Sequence, residues 1–414
     1  MNKRLFLMIS IIFCWPFLVI AQTKNLPYYL QQAKINSPLL SNYQNQIESI
    51  GWDSIKLKAS YGPQVAANGN LTYAPVVHGW GYDNAITNGQ NVSALMVVTK
   101  PIIGKNNLDT RLQSFRINKD ITANQSKLSE KALAQSITQQ YITSYGSQQQ
   151  LALANEILSF LKKEDTTLRK LARSSVFRQT DYLAFKVSLQ QQQLVKDQLK
   201  AQALNELGNL NYLCGLQDSS FQNLQSPAMQ IANEFSFDSS AYAKTYRLDS
   251  LKNSNDAKII GLNYKPTISA FADGGYQSSL VDVPYKNLGL SVGLNFSLPI
   301  YDGKQKKASL MQNKLLEDSR QKQRDFAKQQ YQQKVLQLQQ QIQQYEELIR
   351  QGEQQMKYTK TLIDAEKQQL ETGDVRMTDY LLSIHNYLDL RTGIIQNNLS
   401  RMLLIAQLNN LILL

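Results

Sequence analysis

Four segments of the chain alternate between apolar residues and polar or small residues with a period of two, as half-exposed β-strands do. In the clearest, every second residue from Leu288 to Leu298 is apolar, and glycine, serine and asparagine fill the positions between. The other three segments are residues 64–73, 91–100 and 267–276. Residues 91–100 are the least regular, because Leu95 and Val97 fall on the otherwise polar side. The pattern predicts four strands.

The predicted strands have the length and the two faces of strands that cross a lipid bilayer. They form two hairpins, residues 62–100 and 265–299, and each strand has about ten residues, enough for a tilted crossing. An apolar face would meet lipid, and a polar or small-residue face would meet water. Tyrosines mark the strand ends, as interfacial aromatic girdles do: Tyr61, Tyr73, Tyr264, Tyr276 and Tyr301. The alternative is a pair of hairpins in a soluble sandwich, but no further strand-like segments exist for them to pack against.

Four strands are too few to close a barrel. Unpaired backbone groups at an open sheet edge cost several kcal/mol each in lipid, and single-chain barrels begin at about eight strands. The chain is therefore expected to pool its strands with other copies of itself. Three copies would supply twelve strands and two copies would supply eight. The sequence does not distinguish between these two oligomers.

Long helical patterns follow each hairpin. They cover residues 106–173 and 304–371, and the second has a heptad seam typical of left-handed coiled packing. Each long helix ends in a short turn, and a second helix then returns over residues 180–213 or 378–413, with Thr180 and Thr378 as expected N-caps. The two turns are Ser174, Ser175, Val176 and Phe177, and Thr372, Gly373, Asp374 and Val375. Further helices, residues 25–60 and 239–261, precede the hairpins.

The same order of elements occurs twice because the chain is internally duplicated. The segment from Phe177 to Leu183 returns 198 residues later as Val375 to Leu381, with Thr-Asp-Tyr-Leu in both copies. A repeat this long is a duplicated half-protein and not a solenoid unit. The predicted domains are a first repeat over residues 22–215, a linker over 216–238 and a second repeat over 239–414.

The first 21 residues have the pattern of a secretory signal peptide. Lys3 and Arg4 precede an apolar run, and Val19-Ile20-Ala21 is an acceptable cleavage site, so we expect cleavage near Ala21. Beyond it, no apolar stretch reaches 18 residues, so the sequence contains no other candidate for a transmembrane helix. Membrane insertion would therefore depend on the predicted strands.

Composition and charge indicate no specific binding or catalytic chemistry. The net charge is +12, or +10 without Lys3 and Arg4, but no aromatic residues interleave the basic ones as nucleic-acid binding would require. Cys214, the only cysteine beyond the signal, lies at an apolar helix end and is expected to be a buried, unreactive thiol. His78 and His385 have no metal-ligand spacing, and neither a phosphate loop nor a nucleophile constellation is present. We expect no enzymatic activity, cofactor or metal.

In this order, and twice over, the motifs resemble those of the TolC-like outer-membrane efflux proteins. The resemblance covers the whole mature chain. It rests on Ala33-Lys-Ile-Asn-Ser-Pro38, Pro101-Ile-Ile-Gly104, Pro299-Ile-Tyr-Asp-Gly303, the Thr-Asp-Tyr-Leu turns and the Leu-Asn helix ends. The resemblance implies a mainly α fold with membrane β-structure, in which long coiled-coil helices form a periplasmic α-barrel and four strands per chain pool into an oligomeric β-barrel.

The resemblance also implies a function. A trimer in the outer membrane, in contact with its lipid, would be the exit duct of a tripartite efflux or type I secretion system. It would join an inner-membrane pump through a periplasmic adaptor that contacts the two turns. The tunnel would narrow near those turns, at a periplasmic constriction for which the candidate residues are Glu366, Glu371, Asp374 and Arg376. The alternative is that the chain is itself a periplasmic adaptor with a coiled-coil hairpin, although adaptors need only one hairpin.

Overall fold

The computed structural model describes most of the chain: residues 24–82, 89–102, 104–173, 178–218, 220–232, 236–281 and 283–412. The predicted signal peptide and the turn from Ser174 to Phe177 lie outside the described residues. The described chain contains seven α-helices, one short 3-10 helix (Pro284–Lys286) and four strands. The fold class predicted from the sequence, mainly α with a small antiparallel sheet, is confirmed.

The helices and strands follow the same order in the two halves of the chain. The helices are α1 (Leu26–Asn36), α2 (Pro38–Ser60), α3 (Lys105–Arg173), α4 (Gln179–Leu213), α5 (Ala241–Leu262), α6 (Gln305–Thr372) and α7 (Met377–Ile412). The strands are β1 (Gln64–Tyr73), β2 (Gln90–Ile102), β3 (Thr267–Ser278) and β4 (Leu288–Ser297). In each half a helix precedes a hairpin, and a helix of 69 or 68 residues follows it.

The four strands form one antiparallel sheet in the order β1-β2-β3-β4. The pairing of β2 with β3 joins the two hairpins, with Val98 opposite Ala272. The starts of β1 and β3 and the ends of β2 and β4 lie at one end of the sheet, as the pairs Gln64 with Thr99 and Thr267 with Ser297 require. Each of these chain ends adjoins a helix, so the four helices next to the strands, α2, α3, α5 and α6, meet the sheet at the same end.

Proline divides the helix predicted over residues 25–60. The structure has α1 and α2 separated at Ser37, whose hydroxyl accepts a hydrogen bond from the amide of Leu40 at 3.4 Å. Pro38 is the first residue of α2, where its fixed φ and missing N–H are tolerated. The prediction of a single helix over residues 25–60 was wrong because it ignored Ser37 and Pro38, which signal the start of a new helix.

The predicted N-caps are also wrong. Helix α4 begins at Gln179 with Arg178 as its N-cap, and Thr180 lies inside the helix. In α7 the carbonyl of Arg376 accepts the amides of Asp379 and Tyr380 at 3.1 and 3.3 Å, so Thr378 is likewise inside. Both N-caps lie two residues before the predicted threonines, at Arg178 and Arg376, neither of which caps its helix through a side-chain oxygen.

The heptad seam predicted in α6 is confirmed by burial. Its residues are buried or half-buried, whereas most of their neighbours along the helix are exposed. The seam comprises Tyr331, Val335, Leu338, Ile342, Tyr345, Ile349, Gly352, Met356, Thr359 and Ile363. A narrow seam of this kind packs a helix against its neighbours through two residues in every seven.

The chain forms two compact units, each of which contains segments from both sequence halves. The first unit comprises the chain up to Ile35, Ile137–Met229 and Glu347–Met402. The second comprises Asn36–Ser136, Gln230–Glu346 and the chain from Leu403 onward, and it includes the whole sheet. Within the described residues, no helix is long and apolar enough to cross a membrane.

The core of the first unit joins four helices near the two turns. It contains residues of α3, α4, α6 and α7: Leu153, Ile157, Leu161, Leu168, Phe185, Ile363, Leu370, Met377, Tyr380, Leu381 and Ile384. Cys214 is fully buried elsewhere in this unit, and burial raises the pKa of its thiol to about 11. The thiol is therefore protonated at neutral pH, and the prediction that it is buried is confirmed.

A charged network ties α3 to α4 in the first unit. The Asp165 carboxylate accepts hydrogen bonds from Arg169 at 2.9 Å, from the Tyr182 hydroxyl at 3.1 Å and from Lys186 at 3.4 Å. Burial alone would raise the pKa of Asp165, but these three donors outweigh it and lower the pKa. The network therefore stabilises the hairpin of α3 and α4 only while Asp165 is ionised.

Asparagine pairs join the helices of the second unit. The amide nitrogen of Asn253 donates to the carbonyl of Asn313 at 3.0 Å, and that of Asn313 donates to the carbonyl of Asn253 at 3.0 Å. Asn124 donates to the carbonyl of Ala241 at 3.1 Å and to the Thr245 hydroxyl at 2.9 Å. These bonds fix α3 and α6 against α5, the helix that leads into β3.

Two cross-strand glycines offer a matched test of the sheet. Gly275 has a φ of +154°, and a methyl group there would overlap the carbonyl oxygen of Ala94 in β2. Gly289, its partner in β4, has open space around the same position. We expect Gly275→Ala to destabilise the sheet by about 2 kcal/mol or more, because the backbone must shift. Gly289→Ala should be neutral or stabilise by up to about 1 kcal/mol. Thermal unfolding followed by circular dichroism measures both, and equal midpoints for the two variants would contradict the pairing.

The Asp165 network predicts a pH dependence. Because its pKa is lowered in the folded state, the stabilisation is present above the ordinary aspartate pKa of about 4 and is lost as pH falls through the folded value. Asp165→Asn should destabilise the first unit by about 1–3 kcal/mol at pH 7 and reduce the further loss at pH 3. Asp389→Asn, at an exposed position of α7, is the control. The test is the unfolding midpoint of wild type and both variants at pH 7 and pH 3. An Asp165→Asn variant that loses as much stability on acidification as wild type would refute the network.

Candidate functional site

One face of the sheet is apolar and exposed. The register places the alternating apolar residues of the four strands on the same side, with Phe296 opposite Ile268 and Leu294 opposite Ala270. Leu290 is 90% exposed and Val292 is 84% exposed. The other large exposed side chains of this face are Val65, Leu71, Tyr73, Met96, Val98, Ile102, Ile268, Leu288, Leu294 and Phe296. A contiguous apolar patch of this extent marks a surface that contacts lipid or another protein.

The opposite face is lined mainly by small and polar residues. It carries Asn68 and Asn70 in β1, Ser93 in β2, and Ser291 and Asn295 in β4. Its one charged residue is Asp273, whose carboxylate accepts a hydrogen bond from the Ser291 hydroxyl at 2.5 Å. The phenyl ring of Phe271 lies where a side chain at Gly293 would stand. A sheet that is apolar on one side and polar on the other suits a boundary between lipid and water.

Both edges of the sheet are unpaired among the described residues. Strand β1 bonds there only to β2, and β4 bonds only to β3. Each edge strand has ten residues, and every second one presents its backbone N–H and C=O groups at the exposed edge. Such edges readily pair with strands of another molecule.

The second predicted adaptor turn is a tight helix end. Gly373, with a φ of +83°, follows α6, and its amide donates to the carbonyl of Leu370 at 3.3 Å. The amide of Asp374 donates to the carbonyl of Gln369 at 2.9 Å, and the Thr372 hydroxyl donates to the Asp374 carboxylate at 2.5 Å. These bonds satisfy the last carbonyl groups of α6. The turn leaves Thr372, Gly373 and Asp374 exposed, with Val375 half-buried.

The four candidate constriction residues occupy different environments. Glu371, Asp374 and Arg376 are exposed at the turn of the first unit, six residues or fewer apart along the chain. Glu366 is half-buried on α6, and one of its carboxylate oxygens is buried without a hydrogen-bond partner among the described residues. The structure therefore groups three of the four at one exposed turn and separates Glu366 from them by burial.

An ion pair near this turn was not predicted from the sequence. The Lys367 ammonium of α6 lies 2.6 Å from the Glu164 carboxylate of α3, whose side chain is only 6% exposed. Glu164 and Lys367 are 203 residues apart in sequence. Glu164 and Lys367 are next to Asp165 and Glu366 in the sequence, but nothing in the local sequence marks them as partners. A contact between helices that are distant in the chain produces no periodic pattern.

Tyr380 is a second buried polar group near the turn. Its side chain is fully buried, and among the described residues its hydroxyl has no hydrogen-bond partner. Burial raises the pKa of the phenol, and the nearby carboxylates of Glu164, Asp364 and Glu366 raise it further. Buried hydroxyl groups in protein cores nearly always have a hydrogen-bond partner. The Tyr380 hydroxyl is therefore an unsatisfied polar group at this end of the first unit.

Within the described residues, no group of three or more His, Cys, Asp or Glu side chains could hold a metal ion. The site features of the chain are therefore surfaces and a charged turn. They consist of the amphipathic sheet with its open edges and the end of the α6–α7 hairpin.

Solved structures of other proteins share this architecture. No protein-family model and no curated protein sequence matches the chain. Solved structures do: the outer-membrane channel OprN matches with a TM-score of 0.75 and 13% identity over 93% of this chain and 89% of its own. The outer membrane protein VceC of Vibrio cholerae also has a TM-score of 0.75 and 13% identity, over 93% and 95% of the two chains.

A third match is the outer-membrane channel MtrE of Neisseria gonorrhoeae in its open state. It has a TM-score of 0.72 and 13% identity, over 93% of this chain and 88% of MtrE. At these identities the likeness concerns the fold, and it extends over nearly the whole described chain. The chain thus has the fold of the TolC-like outer-membrane channels, as its sequence motifs indicated.

Proposed function

We propose that three copies of this chain form a passive channel of the outer membrane, the exit duct of a tripartite efflux or type I secretion system. The observation that carries the proposal is the sheet, which combines an exposed apolar face, a polar face and two unpaired edges. Pairing β1 of one copy with β4 of the next satisfies both edges. Three copies then supply a closed barrel of twelve strands with the apolar face toward lipid.

Several features support three copies in place of two. The fold is that of outer-membrane channels over nearly the full length of the chain. A barrel of eight strands has an interior that side chains nearly fill, whereas a wider barrel leaves an aqueous passage. The inward face here still carries Phe271 and several asparagines. Conduction of a solute therefore needs the larger barrel.

The location follows from the same proposal. The sheet would lie in the outer membrane, the long helices would extend into the periplasm, and the signal peptide would be removed near Ala21. Substrates would come from an inner-membrane pump, and the selectivity of the complex would rest mainly with that pump. The duct would need neither a cofactor nor catalysis.

Fractionation tests the proposal as a whole. The protein should be extracted from outer membranes by detergent as an oligomer that dissociates on heating, and it should form conducting pores in planar bilayers. Recovery as a soluble periplasmic monomer would contradict the channel and favour the adaptor alternative. Deletion of the gene should sensitise cells to at least one exported compound.

The exposed carboxylates at the α6–α7 turn are proposed to line the periplasmic constriction. Six such turns would meet at the narrow end of a trimer, three of them carrying Glu371 and Asp374, and a ring of fixed charge controls ion passage. Glu371→Gln with Asp374→Asn should raise single-channel conductance and reduce the preference for cations. Asp325→Asn with Glu353→Gln, at exposed positions of α6, is the matched control. Conductance equal to wild type in the first pair would remove both residues from the constriction.

The two turns are also the proposed contact for the periplasmic adaptor. Cys214 is buried and its thiol protonated, so an introduced cysteine can be labelled with little background. A photo-cross-linker on Thr372→Cys should capture a periplasmic protein with a coiled-coil hairpin, whereas the same reagent on Lys334→Cys, exposed along α6, should not. Equal capture from both positions would place the adaptor elsewhere.

A further inference from the structure

Lysines gather at the end of the sheet from which the helices leave. Exposed lysines there are Lys100 in β2, Lys265 before β3, and Lys304, Lys306 and Lys307 between β4 and the first turn of α6. At the opposite end, the described residues of the two hairpin loops contain one, Lys286. Among the described residues, the lysines of the sheet are therefore concentrated at the end next to the helices.

Lys100 shows how this charge relates to the apolar face. It is opposite Ala270, two residues from Val98, and so lies on the apolar face at its helix-side border. A lysine in this position can lay its methylene chain along apolar surface and extend its ammonium group to the polar boundary. The basic end thus coincides with the border of the surface proposed to contact lipid.

The other lysines surround an open cleft. A cleft of about 480 Å³ beside the end of β4, which we call the lysine cleft, is lined by Tyr264, Pro299, Ile300, Lys304, Lys306 and Lys307. Ile300 is 93% exposed, and the adjacent Tyr301 is 84% exposed. The cleft therefore combines three ammonium groups with projecting apolar and aromatic side chains.

The carboxylate in the cleft is already occupied. Asp302 accepts hydrogen bonds from the backbone amides of Lys304 at 2.9 Å and Lys306 at 2.7 Å. These bonds hold Lys304 at a φ of +71°, a left-handed conformation that a lysine rarely adopts. They also fill the anion-binding amides at the start of α6, so a ligand would have to bind through the side chains.

The lysine side chains of the cleft have no carboxylate partner. The ion pairs of α6 begin further along, at Lys322 with Asp318, and no ion pair within the described part of the chain involves Lys304, Lys306 or Lys307. The ammonium group of Lys306 lies 5.6 Å from the centre of the Tyr264 ring. Three neighbouring ammonium groups outnumber the single carboxylate of Asp302 in the cleft, and the cleft also has exposed apolar side chains. This combination is complementary to an anionic amphiphile.

We propose that the lysine cleft binds the headgroup of an anionic phospholipid in the leaflet nearest the helices. The phosphate would contact Lys304, Lys306 and Lys307, and Ile300 and Tyr301 would enter the adjacent acyl region. Lys100 would reach the same plane of headgroups from the neighbouring hairpin. The inference rests on the proposed membrane insertion of the sheet, and it adds a lipid preference that fixes the depth of the barrel.

The test compares phospholipid binding by detergent-solubilised full-length protein. Short-chain phosphatidylglycerol and short-chain phosphatidylcholine are titrated into wild type, into Lys304→Gln/Lys306→Gln/Lys307→Gln, and into Lys334→Gln/Lys357→Gln/Lys360→Gln. The last variant loses the same charge from exposed positions elsewhere on α6. Each lysine near an anionic surface contributes about fivefold, so the cleft variant should lose its preference for phosphatidylglycerol by up to about 100-fold. The control variant should keep it.

Two results would overturn the inference. One is equal binding of the two lipids by wild type, and the other is an unchanged preference in the cleft variant. Glycerol 3-phosphate provides a third arm: if it displaces phosphatidylglycerol at equal concentration, the cleft is a site for free phosphate esters and not for lipid. Should the cleft variant fail to fold, the wild-type preference must still weaken as salt rises, and a salt-independent preference would also overturn the inference.

The same preparations separate this inference from the proposed function. Pore formation in phosphatidylcholine bilayers requires the barrel but not the anionic lipid. Pores without a lipid preference would refute the cleft and leave the channel intact, whereas a protein that forms no pores in any bilayer would refute the channel itself.

Discussion

Unpaired backbone at the two edges of the sheet is the constraint on which the rest of the structure depends. In β1 and β4, every second residue presents unpaired N–H and C=O groups at the edge of the sheet, and the sheet between them is apolar on one face. In lipid such edges cost several kcal/mol per group unless another strand covers them. A chain that places this sheet in a bilayer must assemble with its own copies, so oligomer formation and membrane insertion are one requirement.

The helices meet the complementary requirement. The four helices that adjoin strands meet the sheet at one end, and no helix within the described residues is long and apolar enough to cross a membrane. Narrow seams, such as the one from Tyr331 to Ile363, bury about two residues in seven and leave most of the remaining positions exposed. Asparagine pairs and the Asp165 network supply the directional contacts that such thin cores lack. Long polar helices around a passage are consistent with the proposed periplasmic duct.

Charge then distinguishes the two ends of each long hairpin. At the sheet, lysines border the apolar face and surround the lysine cleft. At the α6–α7 turn, Glu371 and Asp374 are exposed, while Glu164, Glu366 and Tyr380 are buried or half-buried. The lysines at the sheet are consistent with the proposed lipid contact. The exposed carboxylates at the turn are consistent with the proposed constriction.

The sequence predicted the strands and the seam because both repeat locally. Alternation from Leu288 to Leu298 and the 4-3 spacing from Tyr331 to Ile363 reflect burial on one face, and the structure confirms them. The break at Pro38 was missed although proline signals it, and the threonine caps were misplaced by two residues. The Glu164–Lys367 pair was beyond sequence reasoning, since 203 residues separate its members. The constriction residues and the adaptor turns were inferred from the family resemblance and not from periodicity, and they stay predictions.

Cross-linking between sheet edges tests the central claim most directly. Cysteines placed along β1 and along β4, in a chain that otherwise has only the buried Cys214, should form disulfides between copies in native outer membranes. The account predicts a ladder on non-reducing gels that ends at three chains. A ladder that ends at two chains, or the absence of any β1–β4 cross-link, would contradict it.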